Sequence, residues 1–226
     1  MPVMDEFKEE RAKLKDASTK EKLDYFWYYY KWHVIISVAA VILLVSFIHD
    51  ILTRKDTVFQ VAVINHAALT DASEKYCSEL ESYFEIDAEN EEVYIDSSFR
   101  ISFTGYSKQS IDSSEKLMAQ AASGSLDVMI ADEETFANYS QNFFFRDLSS
   151  LLSKEELDSL EPYLYYAETD EGQAPLGVYL DSCTHFLESY LPVNDTRSLF
   201  GVLSNTENTD RAIGFLRFLI RNDPGQ

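Results

Sequence analysis

Glycine, proline and cysteine are all scarce in this 226-residue chain, at seven, five and two. The shortage of glycine tells most at the strand ends. The first predicted strand runs out as INHAALTD, with no G-x-G-x-x-G, and no P-loop lysine follows any strand. Neither standard phosphate cradle is present, which argues against nucleotide binding. Two cysteines cannot make a disulfide framework, and Cys77 and Cys183 lack zinc-ligand spacing. They fall in different predicted elements and read as two buried thiols, although a bond between them is chemically open outside a membrane. A serine-hydrolase elbow, an H-E-x-x-H helix and an EF-hand loop are also missing. The chain therefore reads as a non-enzyme that needs neither metal nor cofactor.

Positive charge is the other shortage. Nineteen Lys and Arg face 39 Asp and Glu, for a net charge of −20. Residues 1–31 hold seven groups of each sign and residues 32–55 are +1, which leaves −21 on the remainder. A domain this acidic repels nucleic-acid backbones and anionic headgroups, so no nucleic-acid partner is expected. Solubility is the plain reading of the acidity, and a field that recruits cationic ligands is the sharper one. The 46% apolar and 14% aromatic content argues against disorder.

What is present, and organises the rest, is the apolar stretch Trp32–Leu52, WHVIISVAAVILLVSFIHDIL. As a helix rising about 1.5 Å per residue it spans roughly 30 Å, the thickness of a hydrocarbon core. A cleaved signal peptide fits poorly, because the leader is 31 residues long and the exit SFIHDILTRKD has no A-x-A pattern. A buried soluble helix fits poorly too, because only Ser37 and Ser46 interrupt the apolar surface. Trp27, Tyr28, Tyr29, Tyr30 and Trp32 crowd one end as an interfacial belt would. Lys13, Lys15, Lys20, Lys22 and Lys31 precede the run, against Arg54 and Lys55 after it. The positive-inside rule then puts the N-terminus in the cytoplasm and the body of the chain outside. Three segments follow: a charged juxtamembrane helix over 1–31, a transmembrane helix over 32–52, and a globular domain over 56–226.

Within that domain, strand and helix periods alternate. Strands are predicted at Val58–Ala67, Glu91–Phe103 and Leu126–Asp132, with helices at Asp71–Phe84 and Ser110–Ser123 between them. Ile111, Leu117, Met118 and Ala121 supply the second helix's apolar face, and Gly124 stops it. The β-α-β-α-β order predicts parallel strands joined by crossovers. Then come a short helix EETFANYS, a helix capped by Ser153 with Glu156 three residues on, strands at Ala174–Cys183 and Leu199–Asn205, and a last helix from Asp210. In that last helix Ile213, Leu216 and either Leu219 or Ile220 face the core.

The stretch from Glu115 to Leu160 resembles the first lobe of bacterial extracellular solute-binding proteins. The matching residues are Ser123-Gly124, Asp127-Val128, Ala131-Asp132, Phe136, Tyr139 and Asp147-Leu148. GVLSNTENTDRAIGFLRFLI is similar to that family's return segment, with Asn208 before the helix Ala212–Leu219. YYYKWHVI resembles the juxtamembrane region of single-pass surface proteins in Gram-positive bacteria. The resemblance implies an α/β fold: one periplasmic-binding-protein-like lobe with a parallel or mixed sheet and flanking helices, behind one transmembrane helix. Family members carry a second lobe where this chain has only Cys183–Arg197. A clamshell closes on its ligand from two sides and one lobe cannot, so the resemblance implies the fold without high-affinity solute capture.

In sheets of this kind ligands sit outside the carboxyl ends of the strands. Asn65, His66, Ser97, Asp132 and Glu133 would gather there, as a ligand-binding site or as polar groups that cap loops. His33 and His49 bracket the apolar run, and His185 fits no usual ligand motif. The expected role is a membrane-anchored, extracytoplasmic binding domain. Its partners would be the lipid bilayer and either a small-molecule ligand or a membrane protein such as a transporter or sensor subunit. The rival from another class is a structural or assembly protein that acts only through protein contacts.

Overall fold

The computed structural model describes residues 18–66, 70–105, 107–170, 172–183, 186 and 197–221. The leader before Ser18, the strand end at Ala67 and His185 lie outside those residues. The chain falls into two units, divided between Arg54 and Lys55.

The first unit is a helix, α1 (Thr19–Thr53). It holds the one stretch among the described residues long and apolar enough to cross a membrane, Tyr30–His49, none of which is buried in protein. An apolar face this long has no aqueous solution other than burial in protein or lipid. Trp27, Tyr28, Tyr30 and Trp32 are exposed at its amino end, and the Phe26 and Tyr30 rings stack at 5.3 Å.

The second unit is an α/β domain. Its elements in chain order are β1 (Asp56–Ile64), α2 (Thr70–Phe84), β2 (Glu91–Phe99), α3 (Lys108–Ala122), β3 (Val128–Asp132) and α4 (Glu133–Ser140). There follow α5 (Lys154–Leu160), β4 (Leu164–Thr169), β5 (Gly172–Tyr179), β6 (Ser198–Val202) and α6 (Thr209–Arg221). The strands form one six-stranded sheet in the order β2-β1-β3-β6-β5-β4. β1 runs parallel to β2 and β3, whereas β6, β5 and β4 are added antiparallel. The sheet is mixed, and its parallel half is the β-α-β-α-β part of the sequence.

β1 sits between two partners with every residue from Phe59 to Ile64 buried, which is why it reads as an unbroken apolar run. Alternation sends its side chains to two cores. Phe59, Val61 and Val63 join Tyr76, Leu80, Phe215, Leu216 and Leu219 from α2 and α6. Ala62 and Ile64 join Leu117, Met129 and Phe136 under α3 and α4. In α6 it is Leu219 that is fully buried, with Ile220 only half-buried. Among the described residues, all core residues belong to the unit after Arg54, which has an interior of its own.

Several local expectations meet the structure directly. Gly124 takes φ +72 just after α3, and its N–H donates to the Ala121 carbonyl while that of Ser125 donates to Gln120. That pair of bonds is the Schellman ending, open to glycine because it lacks a Cβ. Ser153 and Glu156 form a reciprocal capping box on α5. The buried face of α3, however, is Ser110, Ser113, Leu117 and Ala121, while Ile111 and Met118 are about half exposed. The two serines go inside because the chain leaving β2 needs them. Ser102 N–H donates to Ser110 Oγ at 2.9 Å, and Arg100 N–H donates to Ser113 Oγ at 3.1 Å. The strand predicted to reach Phe103 therefore ends at Phe99, where its backbone turns to side-chain partners. β4 was not expected at all; LYYAET follows α5 through one 3₁₀ turn and pairs with β5 as a hairpin.

Two features tie the sheet together. Asp127, just before β3, is 2% exposed. Its Oδ2 accepts from the Gln60 N–H at 2.8 Å; its Oδ1 accepts from the Thr206 hydroxyl and from Asn208 Nδ2, the latter at 3.1 Å. One carboxylate thus links β1, β3 and the entry to α6. On the other face, the rings of Phe136 and Phe145 stack at 4.1 Å over Gly201 of β6 and Gly177 of β5. A Cβ on Gly201 would lie 2.7 Å from both rings, and one on Gly177 would lie 2.6 Å from Phe136.

Candidate functional site

The carboxyl ends of β1 and β3 lie side by side because the two strands are parallel neighbours. Asn65 leaves β1 in the left-handed region at φ 61, a conformation that asparagine tolerates better than most residues. Its carboxamide then bridges three elements. Oδ1 accepts from the Ile101 N–H at 2.9 Å. Nδ2 donates to the Ile101 carbonyl at 2.8 Å, to Asp132 Oδ2 at 2.7 Å and to Thr135 Oγ1 at 3.2 Å. Asp132 is the N-cap of α4: Oδ1 accepts from the Thr135 N–H at 2.9 Å, and Oδ2 from the Thr135 hydroxyl at 2.8 Å. The cap residue and the strand-exit residue are therefore locked to each other.

A cleft of about 360 Å³ opens above this triad, lined by Asn65, Ile101, Ser102, Phe103, Asp132, Glu134 and Thr135. Its floor is rigid and polar. Its rim carries an aromatic ring, Phe103, which is 40% exposed and meets Tyr139 edge-on at 6.2 Å. The Glu134 carboxylate is exposed on the same rim, and no Lys or Arg lines the cleft among the described residues. Chemically the cleft can offer hydrogen-bond acceptors, negative charge and a ring face.

The five residues expected at the strand ends do not form one group. Asn65 and Asp132 line the cleft together. His66 is buried beside it, with Nε2 3.2 Å from Ser198 Oγ at the start of β6. Ser97 is half-buried on β2, where its carbonyl accepts from Arg100 Nη1 at 2.7 Å. Glu133 faces β5 and accepts the Tyr179 hydroxyl at 3.0 Å. Burial and that bond push the Tyr179 phenol up to about 12. Arg197 stacks on the same ring at 3.6 Å and donates to Asp181 at 2.7 Å. Asp132 and Glu133, adjacent in sequence, thus have separate partners and do not act as a carboxylate pair. Ser102, Phe103, Glu134 and Thr135 were not anticipated. Thr135 had a readable signal, since an Asp three residues before a Thr at a helix start is a capping pattern.

His66, Ser198 and Asp132 bring together the residue types of a nucleophile, a base and an acid. The histidine is 2% and the serine 5% exposed, so no substrate carbonyl can approach the Ser198 hydroxyl as it stands. The His66–Ser198 contact instead ties the exit of β1 to the start of β6 across the end of β3. Burial depresses the His66 pKa; Asp132 works against that shift and Arg100 adds to it. A histidine depressed in the fold takes up its proton first in the unfolded chain. Its contribution is therefore complete above the ordinary value of 6.5 and is lost as pH falls below it. The urea midpoint should drop between about pH 7.5 and about pH 5.5, and His66→Gln should flatten that drop. An unchanged slope in the variant would remove His66 from the account.

No group of three or more His, Cys, Asp or Glu suited to a metal ion occurs among the described residues. Cys77 is half-buried on α2 and Cys183 is buried after β5, with no disulfide between them. Burial pushes the Cys77 thiol up to about 11, with the neighbouring Glu81, Glu92 and Glu74 adding to the shift. It is therefore a poor nucleophile near neutral pH. Compared with family models, curated proteins and solved structures, the chain has no match.

Proposed function

We propose that this chain is a single-pass membrane protein, N-terminus inside, that displays a one-lobed binding domain outside the cell. Its ligand is a small polar solute held in the cleft at the ends of β1 and β3. One observation carries the reading: the cleft lies outside the carboxyl ends of parallel strands, where sheets of this class bind ligands, and its polar floor is already locked in place. The lining narrows the solute. Asp132 and Glu134 are carboxylates, Phe103 offers a ring face, and no described Lys or Arg lines the wall, so an amine or a polyhydroxy compound suits it better than an anion. The charge of −21 on the domain favours the same sign of ligand. Likeness to one lobe of the extracellular solute-binding proteins supports the reading and suggests a membrane transporter or sensor subunit as its partner.

The test is a thermal-shift screen of amines, amino acids and sugars on residues 55–226, the unit with an interior of its own. A solute at a hundred times its Kd should stabilise the domain by about 2.7 kcal/mol, a rise of several degrees. Glu134→Gln should abolish the shift without moving the ligand-free midpoint, since its carboxylate is exposed; Phe103→Ala should abolish it too, with a lower ligand-free midpoint from the lost contact with Tyr139. If no solute moves the midpoint while a membrane protein co-purifies with the full chain, the domain is an assembly factor and this reading fails.

A further inference from the structure

A second cleft, of about 430 Å³, opens between α5 and α6 on the side of the α2/α6 core. Its wall is mostly apolar, made by Leu152, Leu160, Tyr163, Leu216 and Ile220, with Ser159 and Ser182 as its polar part. Arg217 and Arg221, one helical turn apart on α6, line it as well. Arg217 Nε donates to Glu156 Oε1 at 2.8 Å. That bond, with the two capping bonds from Ser153, holds the Glu156 carboxyl down at about 2. The pair is therefore fully ionised and neutral in sum. No described carboxylate bridges Arg221, so among the described lining residues one guanidinium is in surplus. An apolar pocket with a surplus positive charge is the reverse of what the domain's overall charge would place there.

The geometry points to a binding site for a single-chain amphiphile with a carboxylate head, a molecule of the fatty-acid type. The chain lies along the half-buried Leu160, Tyr163 and Ile220, over a floor of Leu152 and Leu216, where it leaves water. The carboxylate meets Arg221, whose planar fork suits two oxygens. The volume lies at the low end of the range for ligand pockets, which suits one alkyl chain better than the two of a phospholipid. This site shares no residue with the strand-end cleft and does not depend on it.

The test uses the full chain in phosphatidylcholine nanodiscs and a decanoate carrying a photoreactive diazirine. Label should fall on peptides covering 152–163 and 213–221. Unlabelled decanoate should compete; decanol and decyltrimethylammonium should not. Arg221→Glu should weaken that competition about tenfold or more, the worth of a charged hydrogen bond. Ser159→Trp, which fills the cleft from an exposed position, should remove the label while the far-ultraviolet circular dichroism and the urea midpoint of the domain stay as in the parent. Label spread in proportion to exposed surface, or confined to α1, overturns the proposal. So does equal competition by decanol, which would make the cleft merely greasy. Label that appears only after residues 222–226 are deleted overturns it too, by making the chain's own terminus the occupant.

Discussion

Replacing Asp127 by alanine should destabilise the globular unit by about 3 kcal/mol or more, a large share of a domain's usual margin. The carboxylate is buried and accepts from the Gln60 N–H, the Thr206 hydroxyl and the Asn208 amide. Removing it strands the Gln60 N–H and the Thr206 hydroxyl out of reach of water, each at its own desolvation cost, and takes a partner from the half-buried Asn208 amide. Asp127→Asn keeps the shape but turns one acceptor into a donor facing other donors, so an intermediate loss is expected. Urea unfolding followed by far-ultraviolet circular dichroism on residues 55–226 measures both. Tryptophan fluorescence would miss the event, because both tryptophans, Trp27 and Trp32, lie on α1. A parental midpoint for the alanine variant would show that solvent reaches the site and that the network carries little.

Gly201→Ala should cost about 2 kcal/mol, at a position where the exchange would otherwise favour the strand. The backbone there is ordinary; the obstacle is the stacked pair of Phe136 and Phe145 at 2.7 Å from the added methyl. Phe136 is fully buried and cannot swing aside without opening the α4 core. Combining Gly201→Ala with Phe136→Leu should therefore lose less than the sum of the two single changes, because the smaller side chain makes room for the methyl. Strict additivity of the two unfolding free energies would mean that the ring is not what excludes a side chain from Gly201.

Those two sites also mark where the sequence was hard to read. The apolar run of α1, the three parallel strands, the glycine stop at Gly124 and the Ser153 cap are signals carried by neighbouring residues, and they were legible. Asp127 draws its partners from positions 60, 206 and 208, and no local pattern announces such a network. The same holds for Gly177 and Gly201, which are small because of a ring from α4. Ile111 and Met118 were placed inside on hydrophobicity alone. The positions actually buried are serines whose hydroxyls accept the backbone N–H groups of Arg100 and Ser102. β4 was hidden because its tyrosines alternate only partly between core and solvent on an edge strand. At the candidate site the strand-end rule led to Asn65 and Asp132. Whether neighbouring side chains turn toward the cleft depends on rotamers and on β5, as Glu133 shows by turning to Tyr179.

The position of β1 in the strand order has a mechanical side. Only Arg54 and Lys55 separate the end of α1 from the start of β1, and β1 has a parallel neighbour on each flank. Any pull transmitted along the polypeptide from α1 enters at the interior of the sheet rather than at a rim. It is then shared by two ladders loaded along their length, which must slip together rather than peel open one bond at a time.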